Sequence, residues 1–171
     1  MRIMRLNHRA SCRQPGFTLV ELMTAVAILA IIAGIAIPAF DNFLLSARLR
    51  AYANDFVAAV LLAKSEAKKR NTAVVLCKSN NGLTCSASGG WEQGWIVASG
   101  SSVIRYQQAT DSGYRIFAAV DSFTFQANGF GSTPATVTVC RSSPAADFKR
   151  EVTVSATGRT RVNNVSSESC P

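Results

Sequence analysis

Histidine is nearly absent from this sequence, since its 171 residues include only one, His8. The rest of the chain therefore lacks the commonest general base of enzymes, and it can form neither a Ser/His nor a Cys/His pair. It offers no histidine ligand for a metal, and no glycine-rich phosphate-binding loop precedes a helix. We therefore expect no enzyme and no cofactor or metal.

Charged residues are also scarce, at 16% of the chain against 48% hydrophobic residues, which excludes a disordered protein. The length suffices for one domain with a core. The formal net charge is +8, but the first sixteen residues contribute four arginines and no acid, so +4 remains without them. A mildly basic surface suits an anionic partner, although it serves solubility equally well.

A long apolar run occupies residues 17–37, and Glu21 is its only charge. As a helix, such a run spans a hydrocarbon core of about 30 Å. The basic residues before it, Arg2, Arg5, Arg9 and Arg13, predict a cytoplasmic N-terminus by the positive-inside rule. We expect a single pass through a bacterial inner membrane, with the remainder of the chain in the periplasm.

The start of this run differs from that of an ordinary secretory signal, which is cut after its apolar segment. Residues 16–21 read GFTLVE, which closely resembles the prepilin cleavage motif of type IV pilins and type II secretion pseudopilins. The resemblance implies that a prepilin peptidase cuts between Gly16 and Phe17 and methylates Phe17 as the new N-terminus. The alternative is an ordinary transmembrane anchor that contains a chance glutamate.

Glu21 is costly in lipid, because an unpaired carboxylate there loses several kcal/mol of solvation (about 3 or more). The apolar run contains no lysine or arginine that could neutralise it. In the pilin family this glutamate is thought to pair with the N-terminal amine of a neighbouring subunit. The resemblance therefore implies that Glu21 acts in filament assembly, with other pilins or pseudopilins as partners.

Helical periodicity continues beyond the run. Pro38 removes a helical hydrogen bond and predicts a kink. An apolar stripe with spacings of three or four follows: Leu45, Leu49, Tyr52, Phe56, Ala59, Ala63 and Ala67. The helix is predicted to end near Asn71, a suitable C-terminal cap. Lys68, Lys69 and Arg70 are better explained by the helix dipole than by a nucleic-acid patch.

The remainder has β character, with short β-branched or aromatic segments separated by Gly, Ser, Asn and Asp. Strands are predicted at 72–78, 95–98, 103–108, 115–120, 122–127, 136–141, 151–156 and 160–165. A long helix followed by strands is an α+β arrangement, with the helix packed on an antiparallel sheet, and it is also the type IV pilin fold. The predicted regions are a leader (1–16), a transmembrane and assembly helix (17–38), an amphipathic helix (39–71) and a β-rich globular domain (72–171).

Four cysteines lie beyond the apolar run, which suggests two disulfides in an exported domain. Of the three possible pairings we favour Cys77–Cys85 with Cys140–Cys170, because the first closes a local loop with Asn and Gly at its centre. The alternative is a four-thiolate zinc site, but the spacing lacks the close pairs that structural zinc prefers.

The globular part resembles the GspH/FimT family of minor pilins. The segments that carry the resemblance occur in order: VVLC at 74–77, WEQGWIV at 91–97, FTF at 123–125, NGFG at 128–131, EVTV at 151–154 and GRTR at 158–161. One branch of this family belongs to type II secretion. The other, FimT-like, belongs to type IV pili and to DNA uptake in natural transformation, and there a Gly-Arg-x-Arg motif is associated with DNA binding.

The resemblance thus implies a DNA-binding site at Gly158, Arg159 and Arg161. Two arginines two residues apart on a strand face one side and can fork onto successive phosphates. Lys149, Arg150 and Arg141 are candidates to extend the patch over double-stranded DNA. The alternatives are a soluble, arginine-bearing hairpin turn, and a purely structural minor pilin or type II secretion pseudopilin that primes or caps the filament.

Overall fold

A computed structural model describes residues 16–131, 134–142, 148–166 and 170, with only the backbone at 36–39 and 148. The predicted leader up to residue 15 lies outside these residues, together with its arginines, His8 and Cys12. Within the described part, the chain divides into two compact units, one that ends at Phe43 and one that begins at Leu44.

A single α-helix, α1 (Leu19–Arg70), covers both predicted helical regions. Its first turn is capped by Thr18, whose Oγ1 accepts a hydrogen bond of 3.2 Å from the backbone N–H of Glu21. Thr followed three residues later by Glu is the capping-box pattern, and an acid suits the positive end of the helix dipole. The sequence at Thr18 and Glu21 therefore explains where the helix begins.

The C-terminal end of α1 confirms the predicted cap. Asn71 adopts a left-handed φ of 53°, and its N–H donates to the carbonyl of Lys68 at 3.4 Å. The N–H of Thr72 donates to the carbonyl of Ala67 at 3.3 Å, which completes a Schellman motif. The backbone at Pro38 belongs to α1, and the kink predicted there stays a prediction.

The N-terminal unit exposes its apolar side chains. Ten large apolar residues between Leu19 and Ile35 are 57–74% exposed. This part of α1 is long and apolar enough to cross a membrane, as judged by length and composition. An apolar surface of this extent is typical of a segment that contacts lipid or other proteins.

All eight predicted strands are present, with ends shifted by a few residues. They are β1 (Val74–Lys78), β2 (Trp95–Ser99), β3 (Ser102–Gln107), β4 (Tyr114–Ala118), β5 (Ser122–Phe125), β6 (Ala135–Arg141), β7 (Phe148–Val154) and β8 (Thr160–Ser166). They form two antiparallel four-stranded sheets, ordered β3-β2-β1-β5 and β4-β6-β7-β8. We expected one antiparallel sheet, and the structure has two. Their strand orders depend on the pairings of β1 with β5 and of β4 with β6, which join strands that are not consecutive in the chain. The alternation of apolar and polar residues within a strand does not reveal such pairings.

The predicted apolar stripe packs into one core with both sheets. Its buried members are Leu45, Leu49, Phe56, Ala59, Ala63 and Ala67, and Tyr52 packs at the margin. The ring of Phe56 meets those of Trp91 and Trp95 edge-on, at centroid distances of 5.3 and 5.7 Å. Edge-to-face contacts of this kind add to the stabilisation that burial alone provides.

Both favoured disulfides, Cys77–Cys85 and Cys140–Cys170, are present. The first closes the loop after β1, and the second fastens residue 170 to β6. This pairing excludes the four-thiolate zinc site. Each bond stabilises the fold by roughly 2–4 kcal/mol through the restriction it places on the unfolded chain.

Candidate nucleic-acid interface

The candidate site is built on the tight turn between β7 and β8. The N–H groups of Ser155 and Gly158 donate to the carbonyls of Arg159 and Ser155, at 2.9 and 2.8 Å. The side chain of Ser155 adds a third bond, since its Oγ accepts the N–H of Arg159 at 3.0 Å. These bonds fix the backbone from which Arg159 extends.

Gly158 is required by conformation and by space. Its φ is 67°, a left-handed value that side chains with a Cβ adopt at a cost. A Cβ there would lie 3.0 Å from Cε1 of Phe125 and 3.3 Å from Cδ of Lys64. The turn therefore sits directly on the end of β5 and on α1, and glycine allows that approach.

Arg159 and Arg161 are both exposed and line the same shallow depression. Its other lining residues are hydroxyl-bearing: Thr153, Ser155, Thr157 and Thr160. Arg161 pairs across the hairpin with Thr153, and its Nε donates to Oδ1 of Asn163 at 3.2 Å. We refer to this depression as the arginine depression.

Lys149 lies on the same side of the β7–β8 hairpin but at a distance. It pairs with Val165, four residues along the strand from Arg161, which corresponds to about 13 Å. Its Nζ lies 3.6 Å from a carboxylate oxygen of Glu151. Lys149 is therefore partly neutralised and stands apart from the two arginines.

Arg150 points to the opposite face of the sheet, on the side of the fully buried Val152. Its Nη1 donates to Oδ1 of Asn164 at 2.6 Å, while its buried Nε has no hydrogen-bond partner among the described residues. Burial lowers its pKa, and the neighbouring charge of Arg50 lowers it further. Arg150 therefore does not join Arg159 and Arg161.

Arg141 is also separated from the proposed centre. It lies at the end of β6, paired with Tyr114 of β4. Thr136 of β6 pairs with Thr153 of β7, which in turn pairs with Arg161. Arg141 lies five residues farther along β6 than Thr136, a distance of about 17 Å. The patch that the sequence suggested is therefore smaller on the β7–β8 side than expected.

The structure instead brings two helix lysines to the turn. Lys64, Lys68, Phe130, Thr157 and Arg159 line a second depression, together with Asn128 and Gly129, and we refer to it as the lysine depression. Lys64 and Lys68 are four residues apart, so they occupy one side of α1. That spacing was visible in the sequence, but its position beside Arg159 depends on the tertiary fold.

Arg159 is shared by the two depressions, which together carry four cations, Lys64, Lys68, Arg159 and Arg161. No carboxylate is among the described residues that line them. The arrangement can hold several phosphates at once, since arginine forks onto phosphate oxygens and lysine adds point charges. The described residues contain no group of three or more His, Cys, Asp or Glu side chains that could hold a metal ion.

The predicted processing site lies at the start of the described chain. Gly16 and Phe17 are exposed and precede α1, so the peptide bond between them lies outside the helix. Glu21 is also exposed, and its carboxylate has no ion-pair partner in the described part of the unit. Its backbone is engaged at both groups: the N–H donates to Oγ1 of Thr18, and the carbonyl accepts a hydrogen bond of 3.0 Å from Oγ1 of Thr24.

Two family models match the chain. The model of the type II transport protein GspH matches residues 52–158, and that of the prokaryotic N-terminal methylation motif matches residues 11–37. The first covers more than half of the chain, although Arg159 and Arg161 lie just beyond it. The second spans Gly16, Phe17 and Glu21.

A curated protein, prepilin peptidase-dependent protein D of Escherichia coli (strain K12), is 37% identical over 78 residues. The alignment covers 46% of each chain, so this chain spans about half the length of that relative. Two crystal structures of the type IV minor pilin FimU of Pseudomonas aeruginosa (strain PAO1) share the fold. Their TM-scores are 0.53 and 0.57 at 23% and 21% identity, over 67% and 71% of this chain and 91% and 92% of theirs.

Proposed function

Since the chain belongs to the GspH family of minor pilins and pseudopilins, we propose that it is a minor pilin that binds DNA without sequence preference and contributes to DNA uptake in natural transformation. The family is structural rather than enzymatic. The observation that carries the DNA proposal is the shared lining of Arg159 and Arg161, next to Lys64 and Lys68, with no carboxylate among the described lining residues.

The chemistry of these side chains favours phosphate over bases. Guanidinium and ammonium groups on a shallow, open surface can reach the backbone of a duplex, which presents the same charges for every sequence. The hydroxyls of Ser155 and Thr157 share a hydrogen bond of 3.0 Å, which uses one of their two donors; the other donor and the hydroxyl of Thr160 are available to phosphate oxygens. On a duplex, each neutralised phosphate adds about −0.9 to the slope of log affinity against log salt concentration.

Processing and assembly belong to the same proposal. A prepilin peptidase cuts between Gly16 and Phe17 and methylates Phe17, and the mature chain stays in the inner membrane through its apolar helix. Its globular unit then lies in the periplasm until other pilins incorporate the chain into a filament. Two observations support this sequence of events: the methylation-motif match over residues 11–37, and the exposed side chain of Glu21, which has no ion-pair partner among the described residues.

A purely structural minor pilin or secretion pseudopilin is the second candidate. The observation that favours it is that the GspH match ends at residue 158, so family membership does not require Arg159 or Arg161. Loss of transformation with intact pili would point to DNA binding. Loss of pili or of secretion would point to assembly.

The direct test is a titration of duplex DNA onto the full-length chain in nanodiscs of uncharged lipid, at several salt concentrations. Arg159→Gln with Arg161→Gln should abolish most of the binding and reduce the salt slope by about 1.8. The matched control is Arg105→Gln with Arg115→Gln, which removes two charges from strands outside both depressions. All variants keep the same leader, so its arginines do not affect the comparison. Equal losses in both variants would contradict the site.

A further inference from the structure

We infer that Phe130 is a stacking platform for an unpaired base, so that the lysine depression binds single-stranded DNA. This inference rests on the proposed function and adds a substrate class to it. The sequence showed no aromatic residue between Arg159 and Arg161. The fold places one beside Arg159 from a different loop.

Phe130 is unusually exposed for a phenylalanine, at 52%. Its backbone is nevertheless fixed: its carbonyl accepts the N–H of Gln126 at 2.9 Å, and its own N–H donates to Oδ1 of Asn128 at 3.0 Å. A further bond of 2.7 Å joins the N–H of Gly129 to the carbonyl of Gln126. The ring is thus carried by an ordered turn, so the protein loses less conformational entropy when a base stacks on it.

The turn that carries Phe130 is fastened to the arginine hairpin. The N–H of Gly131 donates to the carbonyl of Ala156 at 2.8 Å, and Gly131 also forms a bridge with Phe125. Ala156 lies in the same β7–β8 turn as Thr157 and Gly158. Phe130 and Arg159 therefore belong to one connected surface.

Three cations, Lys64, Lys68 and Arg159, line the depression with Phe130. Proteins that bind single strands combine a positive groove for the backbone with aromatic side chains on which bases stack. A duplex keeps its bases stacked inside the helix and cannot use the ring in this way. The charge of the depression favours a polyanion over an apolar protein segment as the occupant of this face.

The experiment uses the full-length chain in uncharged nanodiscs with three ligands: an oligothymidylate about ten nucleotides long, a duplex, and an abasic strand of the same length. The variants are Phe130→Leu, which stays apolar, and Phe130→Trp, which stays aromatic. Phe117→Ala is the matched control, since Phe117 is 51% exposed on the opposite edge strand, outside both depressions. Emission from the buried Trp91 and Trp95 shows that each variant without an added tryptophan is folded.

We expect Phe130→Leu to weaken oligothymidylate binding by about fivefold or more, and to leave duplex and abasic binding nearly unchanged. Phe130→Trp should retain or increase the affinity for oligothymidylate, and Phe117→Ala should have no effect. Unchanged oligothymidylate binding by Phe130→Leu, or an equal loss with the abasic strand, would overturn the inference. If the arginine pair variant still loses duplex binding in that case, the proposed function survives and only the stacking role is wrong.

Discussion

The ε-amine of Lys64 donates a hydrogen bond of 2.8 Å to the carbonyl oxygen of Thr157. This contact joins the C-terminal part of the long helix to the turn that carries Arg159. An ammonium group has three donors, so one bond to a carbonyl leaves two for a phosphate. The helix therefore contributes to the proposed interface as well as to the core.

Replacement of this lysine tests that contribution. Lys64→Met keeps the apolar stem but removes the charge and the donor, so we expect weaker duplex binding and a salt slope smaller by about 0.9. The free energy of unfolding should fall by about 1 kcal/mol, because the carbonyl of Thr157 loses its partner. Anisotropy titrations and urea unfolding followed by tryptophan emission measure the two effects.

The control for Lys64 lies on the same helix. Lys69 is 77% exposed and pairs with Glu66, outside both depressions. Lys69→Met removes the same charge from the protein and should leave the salt slope unchanged. An equal change in slope for the two variants would mean that only net charge matters.

Gly158 offers a test of how the turn is built. Gly158→Ala should lower the free energy of unfolding by about 2 kcal/mol or more, from left-handed strain together with the contact on Phe125. Gly100→Ala is the matched control, since Gly100 has a φ of 58° but nothing within 4 Å of its Cβ position. It should cost only the strain, about 1 kcal/mol. Equal costs would show that the space under Gly158 is not limiting.

Glu66 predicts a pH dependence near the end of the helix. The hydrogen bond from Nε of Arg70 at 2.7 Å, together with the charge of Lys69, holds the pKa of Glu66 below its ordinary value of 4.5. A lowered pKa in the folded state means that the stabilisation is fully present above the unfolded pKa and is lost as the pH falls through the folded pKa. The stability difference between the wild type and Glu66→Gln should therefore be constant above pH 4.5 and vanish in stronger acid. Urea unfolding across this range measures it, and a difference that grows on acidification would contradict the sign.

The features that the sequence predicted correctly are local or periodic. Leu49, Phe56 and Ala63 repeat at helical spacing, and Asn71 follows three cations, so the buried stripe and the helix end could both be recognised. The disulfide Cys77–Cys85 closes a short loop rich in turn residues. Each of these depends on residues close together in the chain.

The lining of the candidate site was predicted only in part, because it is assembled from segments that are distant in the sequence. The sequence suggested that Lys149 and Arg150 extend the patch and predicted a strand only from residue 151, but β7 begins at Phe148 and places these two side chains on opposite faces of a strand. That outcome depends on the register with β8, which charge alone does not reveal. Lys68 was assigned to the helix dipole, and Phe130 to no role, because their proximity to Arg159 arises from packing between α1, the turn after β5 and the β7–β8 hairpin.

The last prediction concerns Glu21 and assembly. A carboxylate within lipid costs about 3 kcal/mol or more, and pairing with the amine of Phe17 in a neighbouring subunit would offset that cost only in the filament. Glu21→Ala should therefore remain in the membrane and be cleaved normally, with mass spectrometry showing a methylated Phe17 as the first residue. Its share in sheared filaments should fall strongly. Glu21→Gln is the sharper variant, since glutamine can also complete the capping box with Thr18 and removes only the charge. Normal incorporation of Glu21→Gln would rule out charge pairing as the reason for this residue, and an unprocessed N-terminus would rule out the proposed cleavage site.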